Sequence, residues 1–138
     1  MRIAIVVSEF NSEVTGRMLE AAQERASEIG LDVAKVCRVP GAYDIPYMVN
    51  VLFGGGRIDG IATLGAVIKG KTKHDEIISH VTASTLQSLS IKYDKPVSLG
   101  VTGPGMTERQ AYARIRPVAR HAIESLVSLH KEAVRVRS

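Results

Sequence analysis

Residues 65–74 hold the densest group of side chains in this sequence that could take part in chemistry. The segment reads GAVIKGKTKH and combines two glycines, three lysines, a threonine hydroxyl and the imidazole of His74. A glycine turn that leads into a helix offers backbone N–H groups to an anion, and Thr72, Lys71 and Lys73 add to that preference. A histidine at the start of the helix can exchange a proton near pH 7. The segment therefore predicts a phosphate site beside an acid-base histidine.

The same segment also spells the nucleotide-binding pattern G-x-x-x-x-G-K-[ST], from Gly65 to Thr72. A P-loop nucleotide hydrolase needs a second apolar strand that ends in an aspartate for Mg²⁺. No other strand of this chain has that ending, since the first ends in Ser8 and the last in Thr102. A phosphate without a nucleotide is therefore the favoured ligand, and a P-loop nucleotide-binding protein is the less favoured alternative.

The histidines and acids around residue 74 do not predict a metal site. On a helix of 3.6 residues per turn, His74 and His80 lie about 240° apart, and Glu76 lies about 200° from His74, so no pair shares a face. The remaining histidines, His121 and His130, are expected on helix surfaces. We therefore expect neither a metal nor a cofactor.

The composition is that of one globular domain spanning residues 1–138, with 45% hydrophobic and 23% charged residues. The net charge of +4 suits anionic partners, but Trp is absent and the few Tyr and Phe are not interleaved with Lys or Arg, so nucleic acid is not expected as a partner. Short apolar runs and the lack of a signal region predict a cytoplasmic protein without membrane association. The single Cys37 is expected to be a buried structural thiol.

Strand and helix patterns alternate four times along the chain. Apolar runs rich in β-branched residues predict strands at 2–7, 31–39, 61–68 and 96–102. Helical spacing of apolar residues follows each of them, for example Met18, Leu19 and Ala22 in the first helix. Alternation of this kind predicts an α/β three-layer sandwich, in which a central four-stranded parallel sheet has helices on both faces, as in flavodoxin-like folds.

Several residues predict where the helices begin and end. Asn11 or Ser12 is available to cap the first helix, Gly30 ends it, and glycines 54–56 end the second. Residues 107–110 read TERQ and have the form of a capping box for the fourth helix. Pro117 should interrupt that helix, either with a kink or with the start of another helix. Residues 131–138 are expected to form a frayed basic tail.

Ligands of parallel α/β sheets bind at the carboxyl ends of the strands, which directs attention to four loops. These loops are 8–11, 40–44, 69–74 and 100–107. With all four in view, the chain resembles the 6,7-dimethyl-8-ribityllumazine synthase family over nearly its whole length. The resemblance is carried by Phe10-Asn11, by VPGAYDIP at 39–46, by LGAVIKGKTKH at 64–74, and by Gln110-Ala111 with Arg114.

The resemblance implies a transferase of the penultimate step of riboflavin biosynthesis. This family condenses 5-amino-6-(D-ribitylamino)uracil with 3,4-dihydroxy-2-butanone 4-phosphate, releases phosphate and water, and needs no redox cofactor or metal. It also implies a homopentamer, or twelve pentamers in an icosahedral capsid, in which the fourth-strand loop and an arginine come from a neighbouring subunit. The related archaeal-type riboflavin synthase is the alternative, but the loop with His74 favours the enzyme that must bind phosphate.

The resemblance also assigns roles to individual residues. His74 would be the proton shuttle, and Phe10 would stack on the pyrimidine ring. The phosphate would be held by Lys71, Thr72 and Arg114, with Arg120 in place of a basic residue found further along the helix. Contacts with the ring and the ribityl chain are expected from Asn11, Gly41, Ala42, Tyr43, Asp44, Ala66, Val67, Ile68, Leu99 and Gly100.

The chain departs from the common pattern of the family at a few positions. Asp44 stands where many members have Glu, and Leu99 stands where many have an aromatic residue. Lys71 and Lys73 occupy positions where others have small, polar or acidic residues. The segment GPGM at 103–106 is one residue longer than the common bacterial loop and resembles archaeal-type members.

Overall fold

The computed structural model describes all 138 residues, and its strands and helices alternate as expected. The strands are β1 (Arg2–Ser8), β2 (Asp32–Val39), β3 (Gly60–Ile68) and β4 (Val97–Met106). The helices are α1 (Ser12–Glu28), α2 (Ile45–Gly54), α3 (His74–Tyr93) and α4 (Glu108–Arg137), with a 3-10 turn at Ala42–Asp44 before α2. The predicted order of elements is thereby confirmed.

The four strands form one parallel sheet in the order β2-β1-β3-β4. The central strands β1 and β3 are buried on both faces, as their continuous apolar runs predict. Helices α1 and α4 cover one face and α2 and α3 cover the other, which gives two hydrophobic cores. Ile5 belongs to the first core and Ile61 to the second, and burial of each side chain stabilises the fold by roughly 1.5–3 kcal/mol. The predicted three-layer sandwich is confirmed.

Strand β4 continues past the predicted end at residue 102. It runs through Gly103, Pro104 and Gly105, and Met106 pairs with Ile68 after a shift in register. Gly103 has a φ of 115°, and a Cβ at this position would lie 2.5 Å from the carbonyl oxygen of Val67. The prediction of a loop from 100 to 107 is therefore wrong for most of its length. Glycine and proline are tolerated in an edge strand such as β4, so the strand continues through these residues and stays paired with β3.

Helix α4 begins at the predicted capping box. The N–H of Gln110 donates to Thr107 Oγ1 at 3.2 Å, and the N–H of Thr107 donates to Gln110 Oε1 at 2.9 Å. The helix then runs unbroken through Pro117 to Arg137, so no second helix begins there. Residues 131–137 are helical where a frayed tail was expected, and Arg137 Nη2 donates to Asp94 Oδ1 at 2.6 Å.

Among the smaller predictions, the one for the helix-ending glycines is confirmed and the one for a buried Cys37 is wrong. Gly30 and Gly56 have φ values of 71° and 76° and follow α1 and α2, as predicted for helix-ending glycines. Cys37 is only half-buried, because β2 lies at the edge of the sheet.

No helix combines the length and the apolar character that a bilayer crossing requires.

Candidate active site

A cleft of about 340 Å³ opens at the carboxyl ends of the strands, near the loops that follow β1, β2 and β3. This position is the one expected for a ligand site in a parallel α/β sheet. The residues that line it are Phe10, Asn11, Gly41, Ala42, Tyr43, Ala66, Val67, Ile68, Gly70, Thr72, His74, Asp75 and Ile78. The sequence predicted most of these residues, and the structure brings them together from three separate segments, 10–11, 41–43 and 66–78.

The loop after β1 is fixed by hydrogen bonds to both neighbouring strands. The N–H of Phe10 donates to the Pro40 carbonyl at 2.9 Å, which joins the loop to the end of β2. Asn11 Nδ2 donates to the Ala66 carbonyl at 2.8 Å, which joins it to the end of β3. Asn11 has a left-handed backbone with φ 62° and makes no side-chain cap to α1. Its side chain therefore serves the cleft wall and not the helix.

The turn after β2 uses its own carboxylate to hold its shape. Asp44 Oδ2 accepts a hydrogen bond from the Gly41 N–H at 3.0 Å, and the Asp44 N–H donates to the Gly41 carbonyl at 3.0 Å. Thr82 Oγ1 on α3 supports the same turn through the Ala42 carbonyl at 3.4 Å. Asp44 does not line the cleft, in contrast to Gly41, Ala42 and Tyr43. In the single chain the Asp44 carboxylate is engaged within the turn, and the ribityl contact expected of it stays a prediction.

The end of β3 gives the cleft an apolar wall. Ala66 and Val67 are buried and Ile68 is half-buried. Phe10 borders the same cleft with 72% of its surface exposed, which leaves the ring free to contact a ligand. An exposed aromatic ring beside an aliphatic wall suits a planar heterocycle.

The loop at 69–73 forms the polar side of the cleft. Gly70, Thr72 and His74 line it, and His74 is the first residue of α3. The positive end of the helix dipole therefore faces the region where an anion would bind. Lys71 and Lys73 are exposed and do not line the cleft. No Lys or Arg of the same chain lines it, and the phosphate contact of Lys71 stays a prediction.

The first half of the nucleotide-binding pattern is strand and not loop. Gly65 and the three residues after it belong to β3, where Gly65 pairs with Val101. Backbone groups in a β ladder are not free to cradle a nucleotide phosphate. No group of three or more His, Cys, Asp or Glu residues is arranged to hold a metal ion.

The predicted residues of β4 and α4 lie outside the cleft. Leu99 is 52% exposed and lines a separate depression with Ser79 and His80 of α3. Gly100 is buried between β3 and α4. Arg114 is exposed and forms no ion pair with an acidic residue.

Arg120 has a different position from the one expected of a phosphate ligand. Its guanidinium donates to both carboxylate oxygens of Glu28, at 3.3 and 3.0 Å, and these bonds raise the pKa of Arg120. Glu28 is the last residue of α1 and therefore lies at the opposite end of that helix from the cleft residue Asn11. In the single chain the charge of Arg120 is engaged in the contact between α1 and α4, and its role as a phosphate ligand stays a prediction.

Two contributors to the cleft were not singled out from the sequence. Ile78 lies one helical turn after His74 and could have been found from that spacing. Asp75 is buried and accepts a hydrogen bond from the Gly105 N–H at 2.9 Å. No local pattern signals this contact, because the two residues are 30 positions apart.

Comparison with known proteins shows which family the chain belongs to. A family model for 6,7-dimethyl-8-ribityllumazine synthase matches residues 1–133. The protein of that name from Sulfolobus acidocaldarius is 47% identical over 137 residues, covering 99% of this chain and 87% of the relative. Those from Staphylothermus marinus and Aeropyrum pernix are each 48% identical, covering 93% and 96% of this chain and 85% and 91% of the relatives. The chain therefore belongs to the 6,7-dimethyl-8-ribityllumazine synthase family.

Proposed function

We propose that the protein condenses 5-amino-6-(D-ribitylamino)uracil with 3,4-dihydroxy-2-butanone 4-phosphate to give 6,7-dimethyl-8-ribityllumazine, phosphate and water. It would act as a transferase of riboflavin biosynthesis in the cytoplasm. One observation carries the proposal beyond family membership. A single cleft places an exposed aromatic ring and an aliphatic wall beside a glycine loop, a helix N-terminus and a histidine.

The apolar half of the cleft suits the pyrimidine substrate. Phe10 would stack on the pyrimidine ring, and Val67 and Ile68 would contact the ring from the aliphatic wall. The ribityl chain would lie along Gly41 and Ala42, in the turn after β2, where each backbone carbonyl can accept a second hydrogen bond from its hydroxyls. In this arrangement Asp44 acts indirectly, because its carboxylate keeps the turn in shape.

The polar half suits the phosphorylated substrate. Amine attack on the ketone, imine formation, loss of phosphate and ring closure each need a proton transfer, and none needs a nucleophilic side chain. His74 would accept and return these protons. Gly70, Thr72 and the N-terminus of α3 would stabilise the charge that develops on the leaving phosphate.

We further propose that a second copy of the chain completes the phosphate site. The cleft contains no Lys or Arg, and a phosphate dianion in a partly apolar cleft calls for a cation. Arg114 suits this need because it is exposed and has no acidic partner, whereas Arg116 and Arg120 on the same helix pair with glutamates of α1. Leu99 would approach the neighbouring cleft in the same way.

The surface of α3 supports such an association. Ile77 and Val81 lie one turn apart and are 60% and 45% exposed. Apolar side chains in this arrangement favour burial against another protein surface. Pentamers, either alone or as twelve in a shell, would bury them and bring Arg114 to a neighbouring cleft.

The direct test supplies the purified protein with both substrates and measures fluorescent lumazine and inorganic phosphate together. We expect equal amounts of the two products. His74→Ala should lower kcat by about 10²-fold or more, as for loss of a general acid-base group. Arg114→Ala should raise KM for the phosphorylated substrate about tenfold or more. Arg116 pairs with Glu24 of α1, so Arg116→Ala is the control and should leave this KM unchanged.

Three results would count against the proposal. Lack of lumazine from the two substrates would refute the activity. Conversion of added lumazine to riboflavin would indicate the riboflavin synthase alternative. Magnesium-dependent hydrolysis of ATP or GTP would indicate a nucleotide-binding protein.

Mixed assemblies test whether the site is shared between subunits. If His74 and Arg114 act from different chains, co-assembly of His74→Ala with Arg114→Ala restores both groups in about a quarter of the sites of a random equimolar mixture. If both groups act from one chain, no site is restored. Activity of the mixture no greater than that of the separate variants would therefore refute the sharing of Arg114.

A further inference from the structure

Asp75 is the only buried charged residue of the protein, with 7% of its surface exposed. Its neighbours His74 and Glu76 are both exposed. Buried carboxylates are rare and need partners that replace their hydration. Asp75 forms no ion pair, so its partners must be sought among backbone groups.

The partner of Asp75 is the end of β4. Asp75 Oδ2 accepts a hydrogen bond from the Gly105 N–H at 2.9 Å. Asp75 is also the second residue of α3, where the helix dipole favours a negative charge. A bond from a backbone N–H to a charged acceptor is roughly twice as strong as a bond between neutral groups. These two features together offset the cost of burying the carboxylate.

This bond is one of two that hold the loop at 69–73 against β4. At the start of the loop, the Lys69 N–H donates to the Met106 carbonyl at 2.7 Å. Just past its end, Asp75 accepts from the N–H of Gly105, the residue before Met106. The loop is therefore tied on both sides to two consecutive residues of β4, and Gly70 and Thr72 lie between the ties.

We propose that Asp75 is a positioning residue for the phosphate site. Its carboxylate fixes the loop and the first turn of α3 against β4, and thereby fixes Thr72 and His74 relative to the cleft. The inference rests on the function proposed above. Asp75 takes no part in proton transfer in this account, because its role is to accept the Gly105 N–H.

The test compares three variants of the assembled protein. Asp75→Ala removes the acceptor, and KM for 3,4-dihydroxy-2-butanone 4-phosphate should rise about tenfold while KM for the pyrimidine substrate changes by less than about twofold. Asp75→Asn keeps a neutral acceptor of the same size, so that the same KM should rise only about threefold. Glu76→Ala changes the exposed neighbouring carboxylate and should resemble the parent.

Hydrogen–deuterium exchange provides a readout that does not depend on activity. In Asp75→Ala, the amides of residues 69–75 and of Gly103, Gly105 and Met106 should exchange faster than in the parent, and Glu76→Ala should leave both segments unchanged. Unchanged exchange in Asp75→Ala would overturn the inference, as would an equal rise in both KM values. If Asp75→Ala does not assemble, unchanged KM and exchange in Asp75→Asn would also overturn it.

The exchange experiment separates this inference from the proposed activity. A parent that forms no lumazine refutes the activity, while faster exchange in Asp75→Ala would still support the tie between the loop and β4. A parent that forms lumazine, with no effect of Asp75→Ala on KM or on exchange, overturns the role of Asp75 alone.

Discussion

The close approach of β3 and β4 at Gly100 allows a quantitative prediction for Gly100→Ala. A Cβ at this position would lie 2.3 Å from the Thr63 carbonyl oxygen, 3.0 Å from Leu64 Cδ2 and 3.2 Å from Ala122 Cβ. Carbon–oxygen contacts between neighbouring strands are ordinarily about 3.3 Å or longer. The added methyl group therefore requires the two strands to move apart by about 1 Å.

The expected cost lies at the upper end of the range for overpacking. Adding a methyl group to a well-packed core usually costs about 1–3 kcal/mol. Here the obstructing atom is a backbone carbonyl of the central strand β3 and cannot rotate away, so we expect about 3 kcal/mol. With 138 residues, the entropy of unfolding is about 0.3 kcal/mol/K, and the Tm should fall by about 10 °C.

The assay is thermal unfolding followed by circular dichroism at a fixed protomer concentration, since association makes Tm depend on concentration. Gly54→Ala is the matched control, because Gly54 ends α2 and its Cβ would meet no atom within 4 Å. That variant should be at least as stable as the parent. A Tm of Gly100→Ala within about 2 °C of the parent would refute the reasoning from strand spacing.

Three further variants test contacts that hold the elements around the cleft. Asn11→Gly introduces a residue that also tolerates the left-handed backbone but removes the hydrogen bond to the Ala66 carbonyl. Urea unfolding should show that the free energy of unfolding falls by about 1 kcal/mol. Thr107→Ala should lower the free energy of unfolding by about 1 kcal/mol because α4 loses its N-cap. Thr107→Ser keeps the capping hydroxyl and should retain most of the stability of the parent. The hydrogen bonds from Arg120 lower the pKa of Glu28 below its ordinary value of 4.5, so the unfolded chain takes up this proton first as the pH falls. The free energy of unfolding of the parent should therefore decrease as the pH falls below about 4.5 and through the lower folded-state pKa. In thermal melts across that pH range, Glu28→Gln should lose less stability than the parent. Equal losses in the two proteins would exclude Glu28 as the group responsible.

The architecture could be predicted because it depends on local patterns. Continuous apolar runs identified the central strands β1 and β3, and alternation with helices fixed the three layers. The errors occurred where tertiary contacts outweighed local signals. Glycine and proline at 103–105 predict a loop, but the pairing of Met106 with Ile68 keeps these residues in β4.

Helix α4 shows the same competition between local and tertiary effects. Proline within a helix costs about 3 kcal/mol, which favours a break at Pro117. Pro117 is exposed, however, and the following turns bury Ala119, Ile123 and Leu126 against the sheet. Burial of the two larger side chains contributes roughly 1.5–3 kcal/mol each, enough to keep the helix continuous.

The order of the strands predicted which loops border the cleft, whereas the individual cleft residues were expected from the family resemblance. The loops that contain Phe10, Ala42 and Thr72 were predicted because each follows a strand, and the carboxyl ends of parallel strands meet at one end of the sheet. The bonds of Asn11 to Ala66 and of Arg120 to Glu28 join residues 55 and 92 positions apart. Their formation depends on the register of packed elements, which local patterns do not encode.

The distribution of charge around the cleft links the proposed chemistry to self-association. One chain supplies the ring-binding wall, the glycine loop and His74, yet the only charged side chains that line its cleft are His74, when protonated, and the carboxylate of Asp75. A negative charge in that position would weaken phosphate binding unless it were already engaged, and the Gly105 N–H and the dipole of α3 engage it. The remaining need is for a permanent cation, which we propose that Arg114 supplies from another copy of the chain. Assembly is therefore part of the catalytic design that we propose, and a lone chain would hold an incomplete site.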